Sequence, residues 1–263
     1  MKNFKDYKRI VVKVGTSTLA HKTGKLNIRR VERLVKILAD LSNSGREIIL
    51  VSSGAMGLGM GKLGYVKKPT DTPSKQALAA VGQCELMYMY DKLFGEYNIV
   101  VAQLLLTKYI LLEERKANVE NAVNKLLEQG VIPIVNENDT VAIDELELEM
   151  GENDSLAATI AAVAKADALV ILSDIDGLFD DDPKKNEDAR LISVVKDIDN
   201  NIKAIAKGAG SKLGTGGMIT KIKAAEIASS AGIDTVIMNG KTPEKLYDLF
   251  EGKQIGTRFV SAE

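Results

Sequence analysis

The chain has 263 residues, 45% hydrophobic and 27% charged, with 35 basic against 36 acidic side chains. That balance describes a soluble globular protein and leaves no basic footprint for nucleic acid or an anionic membrane. A single cysteine, Cys84, and a single histidine, His21, exclude an internal disulfide, a cysteine-based or multi-histidine metal centre, and any Ser-His-Asp chemistry that does not use His21 itself.

Met1 to Asp6 lacks the apolar core of a signal peptide and no apolar run reaches spanning length, so a cytoplasmic protein is expected. Ile10 to Val14 is β-branched and apolar on both faces apart from Lys13, the pattern of a buried parallel strand. His21 falls in the polar run 21–25, read as a solvated loop. Ile28 to Leu41 places Ile28, Val31, Leu34, Val35, Leu38 and Leu41 on one helical face, and Glu47 to Val51 reads as the second strand. Gly59-Met60-Gly61-Lys62-Leu63-Gly64 matches Gly-x-Gly-x-x-Gly, but it begins eight residues after Val51 instead of opening a helix at the strand end. It is therefore read as a mobile loop flanking a substrate, not as a dinucleotide fingerprint.

Helical patterns over Lys75 to Phe94, Glu113 to Gln129, Ser155 to Lys165 and Met218 to Ala231 alternate with strand patterns. The strands are Ile99 to Leu105, Val131 to Val135, Leu169 to Leu172 and Thr235 to Met238. Met87 to Tyr90 reads as core or subunit interface, and the wider segment Leu86 to Phe94 is the candidate interface of a homo-oligomer. Thr140 to Glu152 is expected to form a hairpin or mobile loop, and Asp180 to Arg190 a second surface excursion. The alternation predicts one α/β domain over residues 1–263, a three-layer α/β/α sandwich around a mainly parallel sheet.

Ligands in such sheets bind beyond the carboxyl ends of the strands, and the polar segments fall there. They are Lys13-Val14-Gly15-Thr16-Ser17, Ser52-Ser53-Gly54-Ala55, Asn136-Glu137-Asn138-Asp139 and Ser173-Asp174-Ile175-Asp176-Gly177. Gly214-Thr215-Gly216-Gly217-Met218-Ile219-Thr220-Lys221 runs from a glycine turn into a helix, with a lysine one turn inside. Backbone N–H groups at a helix start attract anions, phosphate above all, although a turn of this kind also serves as an ordinary helix start. Lys13 in a buried strand calls for a compensating anion or carboxylate, unless it snorkels from the strand end. Gly15 lets a backbone N–H approach a phosphate, and Lys13 with Lys221 would bracket a transferring phosphoryl group. Asn153-Asp154 precedes an alanine-rich helix, where Asp154 either orients both lysines or simply caps the helix.

Taken together, these segments and Gly151-Glu152-Asn153-Asp154 resemble the amino acid kinase family across nearly the whole chain. Within that family the match lies with the branch that starts proline synthesis from free glutamate. Ile255-Gly256-Thr257-Arg258-Phe259 resembles the close of the kinase domain, so the PUA domain that follows it in many members is expected to be absent. The resemblance implies phosphorylation of the L-glutamate side-chain carboxylate with ATP as co-substrate and Mg²⁺ held mainly by the ATP phosphates, with no dedicated protein metal site. It implies Lys13, Lys221 and Asp154 as the catalytic set, and Ser53, Asn136, Asp139 and Asn153 as the glutamate site. Lys13, Gly15, Ser173, Asp174 and the run Thr215, Gly216, Gly217, Met218, Ile219, Thr220, Lys221 would border ATP. Feedback inhibition by L-proline is implied too, with Thr140 to Glu152 as its expected seat.

Relatives acting on aspartate, N-acetylglutamate or UMP share the fold and the lysine logic, but several features of this chain differ. Lys-Val-Gly-Thr-Ser replaces the Lys-Phe-Gly-Gly-Thr expected for aspartate. Asp139 offers a carboxylate to a free amine that an acetylated substrate lacks, and no arginine-rich pyrimidine phosphate site stands out. A non-catalytic amino-acid or nucleotide sensor on the same fold has no need of Lys13, Asp154 and Lys221 together.

Overall fold

The computed structural model describes residues 3–21, 23, 25–107, 113–141, 153–183, 185–208 and 217–261. Among them the chain runs β1 (Arg9–Val14), α1 (Thr16–Leu19), α2 (Ile28–Asn43), β2 (Glu47–Val51), α3 (Ala55–Leu63) and α4 (Thr72–Gly95). It continues through β3 (Val101–Leu106), α5 (Glu113–Glu128), β4 (Ile132–Glu137), α6 (Asn153–Val163), β5 (Ala168–Ser173) and β6 (Val194–Val195). The last elements are α7 (Asn200–Gly208), α8 (Met218–Ser230), β7 (Asp234–Asn239), α9 (Lys245–Phe250) and β8 (Thr257–Phe259). The eight strands form one sheet in the order β3-β4-β2-β1-β5-β7-β8-β6, parallel from β3 to β7, with β8 antiparallel to β7.

Side chains alternate across a strand, so a strand apolar at every position must be covered on both faces. Ile10, Val12 and Val14 of β1 pack with α2, α4 and α9, whereas Val11 joins the opposite core with residues of α5, α6 and α8. The expected three-layer sandwich follows from this alternation. It also sets the direction of Lys13, which lies between Val12 and Val14 and so faces the layer of α6 and α8.

The segment Gly59 to Gly64 departs from the sequence-based expectation. In place of a mobile loop, residues 55–63 form α3, packed lengthwise on α4. A Cβ on Gly59 would lie 1.9 Å from the Leu78 carbonyl oxygen, and one on Gly82 would lie 1.7 Å from that of Ala55. The glycines therefore permit close helix contact, and tertiary packing overrides their low helical propensity. Leu86, Tyr90 and Phe94 are fully buried within the chain, which leaves Tyr88, 64% exposed, as the large surface residue of the stretch expected to form an interface. The excursion from Asp180 to Arg190 lies on the surface as expected and is closed by Asp180 N–H to Arg190 O at 3.0 Å. His21 is exposed in its loop. Of the segment expected to form a hairpin, residues 142–152 lie outside the described residues.

At the amino-terminal edge of the sheet, the buried carboxylate of Asp234 gathers both flanks of the chain. It accepts from Tyr7 Oη at 2.6 Å, Arg258 Nε at 3.0 Å and the Ser261 N–H at 2.7 Å, and the Arg258 guanidinium lies over the Phe4 ring. Burial pushes the Asp234 carboxyl up, but these donors and the positive charge outweigh it and hold the group below its ordinary value. Among the described residues no helix is long and apolar enough to cross a membrane.

Candidate active site

Because β1, β2, β4, β5 and β7 are parallel, their carboxyl ends share one rim, and most of the expected site residues meet there. Lys13 comes from the end of β1, Asp154 from the first turn of α6 and Lys221 from the first turn of α8. Lys13 Nζ lies 2.7 Å from Asp154 Oδ1 and Lys221 Nζ lies 3.1 Å from Asp154 Oδ2. Thr220 Oγ1 also donates to Oδ2 at 3.1 Å. Each carboxylate oxygen of Asp154 thus faces one ammonium group. Asp154 is wholly buried, and Lys13 and Lys221 are 8% and 6% exposed.

Burial pushes the Asp154 carboxyl up, yet the ammonium groups of Lys13 and Lys221 more than offset this and keep it below the ordinary aspartate value. Among the described residues the trio sets two cations against one anion in a buried recess. Such a recess suits an anionic ligand, and above all a group on which negative charge grows.

A second cluster stands beside the first, joined to it by the peptide between Asn153 and Asp154. Asn153 Nδ2 lies 2.7 Å from the Ser52 carbonyl oxygen, 2.8 Å from Ser53 Oγ and 3.0 Å from Asn136 Oδ1. Asn136 Oδ1 also accepts from the Glu137 N–H at 3.0 Å, and Asn136 Nδ2 donates to Gln83 Oε1 at 2.8 Å. Ser52 Oγ lies 2.9 Å from Tyr90 Oη, fastening the same loop to α4. Ser53 Oγ accepts from Asn153, and its own proton has no acceptor among the described residues. Asp139 is partly buried in the turn just after β4.

Three helices that start on this rim share a feature. α1, α3 and α8 have Gly15, Gly54 and Gly217 at their N-caps, with no side-chain cap. By contrast Asn27 caps α2 and Asp71 caps α4 through their side chains. Gly54 needs glycine for its backbone, with φ of 92°, but Gly15 and Gly217 have ordinary negative φ values. A Cβ at Gly15 would meet only ordinary contacts, the nearest being Lys13 Nζ at 3.6 Å, and one at Gly217 would meet nothing within 4 Å among the described residues. Among the described residues neither glycine is required by its surroundings, and the absence of a side chain there suits the close approach of a phosphate to helix-start N–H groups.

Of the expected nucleotide border, Ser173 closes β5 with its carbonyl accepting from Gly240 N–H at 2.7 Å, and Asp174 is exposed beside it. Gly217, Met218 and Ile219 form the start of α8 with Thr220 and Lys221. Thr215 and Gly216 lie outside the described residues. Sequence reasoning missed Gln83, Tyr90 and the Gly54 cap. A signal for the first was available, since Ala79, Gln83, Leu86 and Tyr90 recur at helical spacing on a buried stripe where only Gln83 is an amide.

A family model described as "Amino acid kinase family" matches residues 8–239. A protein named glutamate 5-kinase from Clostridium perfringens is 53% identical over 263 residues, 99% of this chain and 98% of its own. One of the same name from Clostridium tetani is 53% identical over 97% of this chain and 95% of its own. Among solved structures, UMP kinase from Bacillus anthracis aligns with a TM-score of 0.66 at 16% identity, covering 98% of this chain and 97% of its own. At that identity it speaks for the fold alone.

Proposed function

This chain belongs to the amino acid kinase family, and we propose that it transfers the terminal phosphoryl group of ATP to the side-chain carboxylate of L-glutamate. The products are L-glutamyl 5-phosphate and ADP, the first step of proline biosynthesis. The observation that carries the reading is the buried Lys13–Asp154–Lys221 trio beside the Ser53–Asn136–Asn153 cluster, in a chain that is half identical to full-length glutamate 5-kinases.

The chemistry asks little covalent work of the protein. A carboxylate oxygen attacks the γ-phosphorus, the bond to the bridging oxygen breaks and ADP leaves. No proton has to be removed, so the reaction needs no general base. Lys13 and Lys221 would neutralise charge on the phosphoryl oxygens, and Asp154 would hold both ammonium groups in place for in-line transfer. Gly15 and the start of α8, from Gly217 to Lys221, would offer N–H groups to the phosphates, with Thr215, Gly216, Ser173 and Asp174 completing the nucleotide border. Ser53, Asn136, Asn153 and Asp139 would hold glutamate, with Asp139 suited to its ammonium group.

Mg²⁺ would supply further charge neutralisation when bound, carried mainly by the ATP phosphates and water. The proposal extends to a cytoplasmic homo-oligomer inhibited by L-proline, which light scattering and inhibition assays check. The central test is trapping of the acyl phosphate with hydroxylamine, using ATP and Mg²⁺ with L-glutamate, N-acetylglutamate or L-aspartate in turn. Hydroxamate and ADP with glutamate alone are expected; silence with all three substrates rejects the reading.

A further inference from the structure

Gln83 lies on α4, outside every segment so far given a role, yet it is only 8% exposed and packs against the acceptor cluster. Its Oε1 accepts from Asn136 Nδ2 at 2.8 Å, while its own Nε2 is buried without a hydrogen-bond partner among the described residues. An unpaired buried donor costs stability, and an apolar side chain of equal size would avoid that cost. What glutamine supplies here, and such a residue would not, is the acceptor for Asn136.

That acceptor completes a fixed orientation. Asn136 Oδ1 faces two donors, the Glu137 N–H and Asn153 Nδ2, so a flipped Asn136 amide would set donor against donor. Gln83 fixes the other end, and with the amide held this way one Asn136 Nδ2 hydrogen has no partner among the described residues. Together with the Ser53 hydroxyl, the cluster then offers two donors side by side, a pair that a carboxylate can accept from. The close α3–α4 crossing makes this reach possible, since Gly82, next to Gln83, lies against the Ala55 carbonyl.

We propose that Gln83 is a positioning residue for the acceptor substrate, locking the Asn136 amide so that its free N–H and the Ser53 hydroxyl are both aimed at a glutamate carboxylate. The inference rests on the functional reading above. Its test is Gln83→Met, which fills the same volume without an acceptor. The variant exchanges one unpartnered donor for another, so its thermal midpoint should stay within a few degrees of wild type, by the order of magnitude of one hydrogen bond. The KM for glutamate should rise about fivefold to tenfold, with the KM for ATP and kcat little changed.

Acting through Asn136 has a further signature. On an Asn136→Ala background, adding Gln83→Met should alter the KM for glutamate by less than about twofold, because the two changes remove one device. Fully additive effects, or a wild-type KM in Gln83→Met, overturn the proposal, and a large loss of thermal stability without a KM change marks Gln83 as a packing residue instead. If wild-type protein forms no hydroxamate with glutamate, the functional reading fails whatever Gln83 does; if it does and Gln83→Met behaves as wild type, only this inference fails.

Discussion

Asn153 and Asp154 are consecutive, yet their side chains serve different halves of the rim. Asn153 reaches Ser53 and Asn136, whereas Asp154 is enclosed by Lys13 and Lys221. The first turn of α6 thereby sets the spacing between the group that would receive a phosphoryl and the groups that would steady it in flight. A displacement of that turn by about one ångström would disturb both at once, and geometry of this kind is worth orders of magnitude in rate.

Lys221→Ala and Lys13→Ala should each lower kcat about a hundredfold or more while circular dichroism stays that of a folded protein. Single-turnover measurements at saturating ATP and glutamate separate this from weakened binding. Near-wild-type turnover in either variant would remove the two-lysine mechanism.

Asp154→Asn leaves two buried ammonium groups without their carboxylate, and breaking a buried ion pair costs about 3–5 kcal/mol. The pH dependence has a definite sign. The folded carboxyl titrates below its ordinary value, so its contribution is complete above about pH 4, the unfolded value, and is lost as pH falls through the folded one. Urea midpoints of wild type and variant should therefore differ by a constant amount from neutrality down to about pH 4 and converge below it. A gap that widens on acidification contradicts the assignment.

Gly82→Ala would drive a methyl group into the Ala55 carbonyl, whereas a Cβ at Gly95 in the same helix would meet nothing within 4 Å. Overpacking of this kind costs about 1–3 kcal/mol. The glutamate KM should rise with the loss of stability, because α4 carries Gln83 and α3 follows directly on Ser53. Gly95→Ala, the control, should match wild type in both denaturation and kinetics; equal effects from the two would show that the crossing has no special role.

Legibility follows burial. Glu47–Val51 can be read from the sequence with its observed bounds because Ile48 to Val51, covered on both faces, are apolar without a break. β8 cannot, because it is only Thr257–Phe259 with a central arginine, and Arg258 becomes a strand residue only once Asp234 neutralises it from another part of the chain. Likewise Gly59 to Gly64 reads as loop, and the reason most of it is helical lies across the contact, in Gly82 and Leu78. At the site, Lys13 asks for a partner in advance because a charge inside an apolar strand demands one, whereas Asp154 and Lys221 join it through their helix-start motifs and the family resemblance. The role of Gln83 cannot be read in advance, since a neutral amide in a helix makes no such demand until its neighbours are known.

The Asp234 knot with Tyr7 and Arg258 lies at the opposite ends of the strands from Lys13, Asn136 and Ser173. Fastening and reaction thus share a scaffold but no side chains. Adaptation to a hotter or colder setting can proceed by altering the knot alone, leaving turnover as it was, and a lineage can retune its substrate without first loosening its fold.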